Sequence, residues 1–175
     1  MIRNAAVRLA NPLADAIVGR AIVSDRLIAG AVDDAIVELA QALAAARQTG
    51  AVGIEADLMV LSLARLAFEG HHDPEELLAT ITPLRTSGYG QLIDVALEIV
   101  AMLWARDGRA ELASLLLGYL EAQGPLYQHP LWVSLRAVHL DPIRDRPAMS
   151  AYTARGASST QSQIVELVAT ELASG

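Results

Sequence analysis

The chain has 175 residues, 53% of them apolar and only 4% aromatic, with a net charge of −7 and no cysteine. That length suits one domain burying roughly 70% of its unfolded surface, and an Ala- and Leu-rich, aromatic-poor composition favours helices packed on helices over a β-sandwich. The acidic balance disfavours direct nucleic-acid binding, and the lack of cysteine excludes disulfides, thiolate nucleophiles and sulfur-ligated zinc, in keeping with a cytoplasmic location.

The first helical window, 13–29, follows an Asn11-Pro12 break, and nothing before it forms the continuous apolar run of a secretion signal. The second window is 34–48. In the third, 54–69, Ile54, Leu58, Leu61, Ala64 and Phe68 recur at three- and four-residue spacing and so share a face. The most apolar stretch, 58–68, carries Ser62 and Arg65 and is too short to span a bilayer, so no membrane association is expected. Windows at 75–86 and 91–107 follow. In the latter, Leu92, Val95, Ala96, Ile99, Val100, Leu103 and Trp104 form the apolar face, while Asp94, Glu98, Arg106 and Asp107 mark a wetter side. A sixth window covers 110–122. Beyond Gly124-Pro125 the pattern changes: 131–139 fits a short helix, and 141–150, with Pro142 and Pro147, reads as an irregular connection. Residues 158–172 form a last helix, with Ile164, Leu167, Val168 and Leu172 on one stripe and Ser158 to Thr160 as N-cap candidates.

Glycines punctuate these windows at a regular period. Gly30, Gly70 and Gly108 lie 40 and 38 residues apart, and Gly50, Gly88 and Gly124 lie 38 and 36 apart. Glycine takes the left-handed conformation that ends a helix at little cost, so the chain reads as helix, turn, helix, loop, three times over. "GAVDDAIVEL" (30–39) lies over "GHHDPEELLA" (70–79), and "RQTG" (47–50) matches "RTSG" (85–88). The expected architecture is all-α: three antiparallel helix pairs, at about 13–50, 51–88 and 89–124, with a C-terminal cap over 125–175, in one domain.

The densest cluster of chemistry-bearing side chains is His71-His72-Asp73 with Glu75 and Glu76. Neighbouring histidines rarely point at one ion, since helical ligands need i and i+4 spacing. Asp73 as N-cap, Pro74 as the first helical residue and two glutamates at the positive helix end account for the same stretch as a turn. Asp33-Asp34 with Glu38 resembles the aspartate-rich motif that holds magnesium–diphosphate in helical isoprenoid enzymes, but no second copy or basic cradle accompanies it. His129 and His139 have no acid or nucleophile at fixed spacing, and the sequence holds no phosphate loop, G-x-S-x-G or H-E-x-x-H. No catalytic residue, cofactor or metal is therefore assigned.

"GRAELASLLLGYLEAQG" (108–124), with Glu111, Ala113, Leu116, Leu117 and Gly118, and "ARGASSTQSQIVELVATEL" (154–172) resemble the tetratricopeptide-like repeats of bacterial LuxR-class ATPase-type transcriptional regulators. The resemblance spans mainly 88–172. It implies a right-handed tetratricopeptide-like solenoid with C-terminal capping helices, and a non-enzymatic regulatory module that binds a protein segment or small effector. The period of 36–40 exceeds the standard repeat of about 34 residues. Such a module would bind on its concave face, lined by the first helix of each pair, with Arg20, Arg65, Glu98 and Trp104 as candidate groove residues. Two alternatives stand beside it: a small all-α metal-binding protein or enzyme centred on His71, His72 and Asp73, and a homodimerisation domain.

Overall fold

The computed structural model describes residues 11–69, 74–86, 90–124 and 130–174. Every regular element among them is helical, as expected. They are α1 (Pro12–Ile28), α2 (Val32–Thr49), α3 (Val52–Glu69), α4 (Pro74–Thr86), α5 (Gly90–Arg106), α6 (Ala110–Gln123), α7 (Pro130–His139), α8 (Asp141–Arg144), a 3₁₀ turn at Pro147–Met149, α9 (Ser150–Ala157) and α10 (Gln161–Ala173). Backbone packing groups the chain into two compact units that divide between Ser62 and Leu63, inside α3. Among the described residues no helix is long and apolar enough to cross a membrane.

In the first unit, α1 starts where the Asn11 side chain accepts the Leu13 and Ala14 N–H groups, at 3.1 and 3.4 Å, ahead of Pro12. This cap satisfies donors that the first helical turn leaves without partners, and proline loses nothing there. Helices α1 and α2 pack through a seam of small side chains: Ala16, Gly19, Val23 and Leu27 on one, and Ala35, Leu39, Ala42 and Ala46 on the other. Gly19 sets the separation, since a Cβ there would come within 2.7 Å of Ala42 Cβ. Asp33 and Asp34 fall inside the first turn of α2, whose N-cap is Ala31, so they act on the positive helix end and do not cap it.

Three turns end their helices identically. Gly30, Gly50 and Gly108 have φ of 73°, 65° and 79°. At each, the glycine N–H and the next N–H reach back to the final helical carbonyls: Gly30 to Leu27 and Ala31 to Arg26, Gly50 to Arg47 and Ala51 to Ala46, Gly108 to Ala105 and Arg109 to Trp104. This is the Schellman pattern, and it bears out the glycine reading at all three positions. Gly124 departs from it, with φ 131° and ψ −166°, outside the left-handed helical region. Gly70 and Gly88 lie outside the described residues.

The second unit is built on α5 and α6. Ile93 and every residue from Ala96 to Trp104 are buried, as are all eight from Ala113 to Leu120. A helix buried all round lies at the centre of its unit. The wetter side expected for α5 is corrected at Glu98, which α7 covers with Arg136; Asp94, bonded by Gln161 at the start of α10, and Arg106 are half-buried, and Asp107 is exposed. The irregular connection expected over 141–150 is corrected as well. It holds a helical turn and a 3₁₀ turn, and α9 begins at Ser150. Helix α9 crosses α6 at two glycines, Gly118 and Gly156, each against the other helix's backbone. Thr160 then starts α10 with a capping box, its hydroxyl accepting the Gln163 N–H while the Gln163 side chain accepts the Thr160 N–H.

Candidate functional site

Of the four residues expected to line a groove, Arg20 belongs to the first unit and Arg65, Glu98 and Trp104 to the second. In the first unit, Arg20 on α1 donates to Asp57 at 2.9 Å and is half exposed. In the second unit, Arg65 on α3 is held by both carboxylate oxygens of Glu69, at 2.8 and 2.7 Å, and by Glu76 of α4 at 2.6 Å. Burial works against the Arg65 charge, but the bonds to Glu69 and Glu76 outweigh it and hold the guanidinium above its usual value.

Glu98 and Trp104 are 1% and 0% exposed, so neither presents a surface to a partner. Glu98 accepts from Arg136 at 2.7 Å, and its burial is the price of lying on a helix that others cover from every side. Burial pushes the Glu98 carboxyl up, against the downward pull of Arg136 and Arg144. Trp104 closes α5: the Arg109 guanidinium lies 5.0 Å above its ring and also pairs with Glu171 of α10. These two residues hold the fold together.

Other polar groups of the second unit serve the same end. Tyr119 donates its hydroxyl to Asp94 at 2.9 Å, and Gln161 donates to the same oxygen at 2.9 Å and to the Gly90 carbonyl at 3.2 Å. The network ties α5, α6 and α10, and burial together with Asp94 pushes the Tyr119 hydroxyl above its usual range. His139, at the end of α7, is held below the usual imidazole value by burial and then by Arg106. His71, His72 and Asp73 lie outside the described residues. Among the described ones, no group of three or more His, Asp and Glu side chains gathers where it could hold a metal ion.

What the second unit does present is a cleft of about 430 Å³ between α6, α9 and α10. Its floor is aliphatic, with Leu115 from α6 and Ile164 and Leu167 from α10, the first two buried. Arg155 from α9 and Glu166 from α10 stand on its rim, and Ser159, Gln163 and Thr170 add hydroxyl and amide groups. The Gly118–Gly156 crossing positions these elements, because it draws α9, which carries Arg155, onto α6. Among the described residues neither the Arg155 guanidinium nor the Glu166 carboxylate makes an ion pair, while the other rim groups make only local backbone and capping bonds. An aliphatic floor with a few polar groups at its edge suits noncovalent capture of a small molecule or a short chain segment.

Sequence reasoning missed Arg155 and Glu166. The stripe of Ile164 and Leu167 was visible, but the opposite wall depends on α9, whose eight residues include no Leu, Ile, Val or Met. The "TQSQ" capping box at 160–163 was the available signal that α10 begins at Gln161 and that a separate element precedes it. No family model matches the chain, and neither the curated proteins nor the solved structures contain a match to it.

Proposed function

We propose that this chain is a non-enzymatic helical-repeat module, a tetratricopeptide-like solenoid of three helix pairs closed by C-terminal helices, that recognises a small effector or protein segment and serves regulation in the cytoplasm. The observation that carries the reading is the cleft of the second unit, an aliphatic floor under an ion-pair-free Arg155 and Glu166. A surface charge outside any ion pair can meet a ligand's charge without first giving up a salt bridge. This reading takes the closing helices α9 and α10 as the binding site, in place of the concave groove residues expected of a solenoid.

The test is saturation-transfer NMR with a mixed set of small amphipathic molecules and short peptides, on the wild type and on Leu167→Glu. Leu167 is only half-buried, so helical circular dichroism is expected to survive the change. Ligand signals that vanish in the folded variant support the reading. Signals that persist unchanged, or none from any member of the set, overturn it.

A second reading, self-association, has its own observation in the first unit. Leu13, Ile17, Val18 and Ile28 of α1 are 42–49% exposed, although the opposite seam of the same helix is buried against α2. Exposed aliphatics gathered on one helix mark contact surfaces. Light scattering across a dilution series tests this, and a monomer at every concentration ends it.

A further inference from the structure

Arg155 and Glu166 stand on the rim of one cleft with opposite charges, yet among the described residues neither makes an ion pair, and Arg155 acts only on the neutral Tyr152 hydroxyl nearby. The same cleft is lined by Leu115, Ile164 and Leu167. We infer that this cleft takes a small aliphatic zwitterion, of the size of a free amino acid or dipeptide, with its carboxylate on Arg155, its ammonium on Glu166 and its hydrocarbon side chain on the floor. The inference rests on the reading of the cleft as a binding site and names the ligand class that the site fits.

Charge decides the class. A ligand carrying only a carboxylate gains Arg155 but brings its charge toward Glu166. One carrying only an ammonium meets the reverse. A neutral aliphatic molecule strips water from both rim charges and returns nothing. A zwitterion answers both, and its hydrogen-bonding ends match the Ser159 hydroxyl and the Gln163 amide beside them. The aliphatic floor then selects a hydrocarbon side chain over a polar one, since each buried methylene adds to the affinity and no floor side chain bonds to a polar group. A cleft of about 430 Å³ falls in the range of small-molecule sites, roughly 300–1,000 Å³, and admits either a single amino acid with water or a dipeptide.

The experiment follows the methyl resonances of Leu115, Ile164 and Leu167 in the wild type, Arg155→Gln and Glu166→Gln. The probes are L-leucine, L-leucyl-L-leucine, 4-methylpentanoate, 3-methylbutylamine and 3-methylbutanol. At least one zwitterion is expected to saturate the floor methyls and to bind the wild type about threefold tighter than the singly charged and neutral probes, the scale of one part-exposed charge pair. Both variants are expected to weaken the zwitterion by about threefold to fivefold. The crossed result is the sharper one: Glu166→Gln strengthens 4-methylpentanoate and Arg155→Gln strengthens 3-methylbutylamine. Equal affinity for the zwitterions, the carboxylate and the alcohol overturns the ligand class while leaving the cleft a binding site. Floor methyls that no probe shifts overturn both readings together.

Discussion

Gly118 of α6 and Gly156 of α9 mark a crossing at which each helix lies directly on the backbone of the other. A Cβ at Gly118 would overlap the Thr153 carbonyl, and one at Gly156 would overlap the Leu115 carbonyl and come within 2.9 Å of the Tyr119 nitrogen. Backbone atoms cannot swing aside as the end of a flexible side chain does. Alanine at either position therefore forces the helices apart and lifts the wall of the cleft that carries Arg155.

Gly156→Ala and Gly118→Ala are each expected to lose about 2 kcal/mol of stability in urea unfolding. The overpacking penalty of roughly 1–3 kcal/mol or more acts against a helix-propensity gain of about 1 kcal/mol. Gly90→Ala, at the start of α5 with nothing near its Cβ position, is the control and is expected to stay within about 0.5 kcal/mol of the wild type. If the two crossing variants are as stable as the control, the close approach is wrong.

The three Schellman glycines make a second, independent set. No neighbouring atom crowds a Cβ at Gly30, Gly50 or Gly108, so only the positive φ resists a side chain there. Alanine at each is expected to cost about 1 kcal/mol, the price of a left-handed residue, with similar values at all three because the hydrogen-bond pattern repeats. Thermal melts of the single variants check this, and a stabilised variant would contradict the assigned turn.

These two sets of glycines show what the sequence made legible and what it hid. Gly30, Gly50 and Gly108 were readable because a helix end needs a particular backbone angle, and that need is local. The stripe of Ile164 and Val168 in α10 was readable for a related reason, since burial of one face leaves a period of three and four. Helix α9, "SAYTARGA", left no such trace because the backbone of Gly156 makes its tightest packing contact, and no apolar side chain does. Glu98 was misplaced for a non-local reason: the helix that covers it, α7, lies 38 residues on at Arg136, and nothing near Glu98 announces it. The cleft inherited both failures, for its rim needs α9 on one side and the position of α10 on the other.

The metal alternative has a direct check. Helical circular dichroism and the melting temperature are expected to be unchanged by EDTA. Calorimetric titration of zinc is expected to give the same weak heat with the wild type and with His71→Ala/His72→Ala. Unfolding on chelation, or tight binding that the double variant loses, would establish a metal role for the 71–73 turn, because a structural ion contributes its binding energy to folding.

The buried pair of Glu98 and Arg136 sets a pH dependence whose sign can be stated. Burial raises the folded-state pKa of Glu98 above the unfolded carboxylate value of about 4.3, in spite of the attraction from Arg136. The folded protein then holds the Glu98 proton more tightly than the unfolded chain does. The resulting stabilisation is fully present below the unfolded pKa and is lost as pH rises through the folded one. Glu98→Gln removes this titration and keeps an oxygen to accept from Arg136. Urea unfolding of wild type and variant from pH 4 to 8 is expected to show the stability of the wild type relative to Glu98→Gln falling as pH rises. His139, whose lowered pKa acts in the opposite direction, is present in both proteins and cancels in the difference. Arg136→Leu is expected to cost about 3 kcal/mol at neutral pH, because it leaves a buried carboxylate without its cation, and to recover part of that loss in acid as Glu98 takes up a proton. A wild-type advantage that is flat or grows with pH would mean that the attraction of Arg136 outweighs the cost of burial at Glu98.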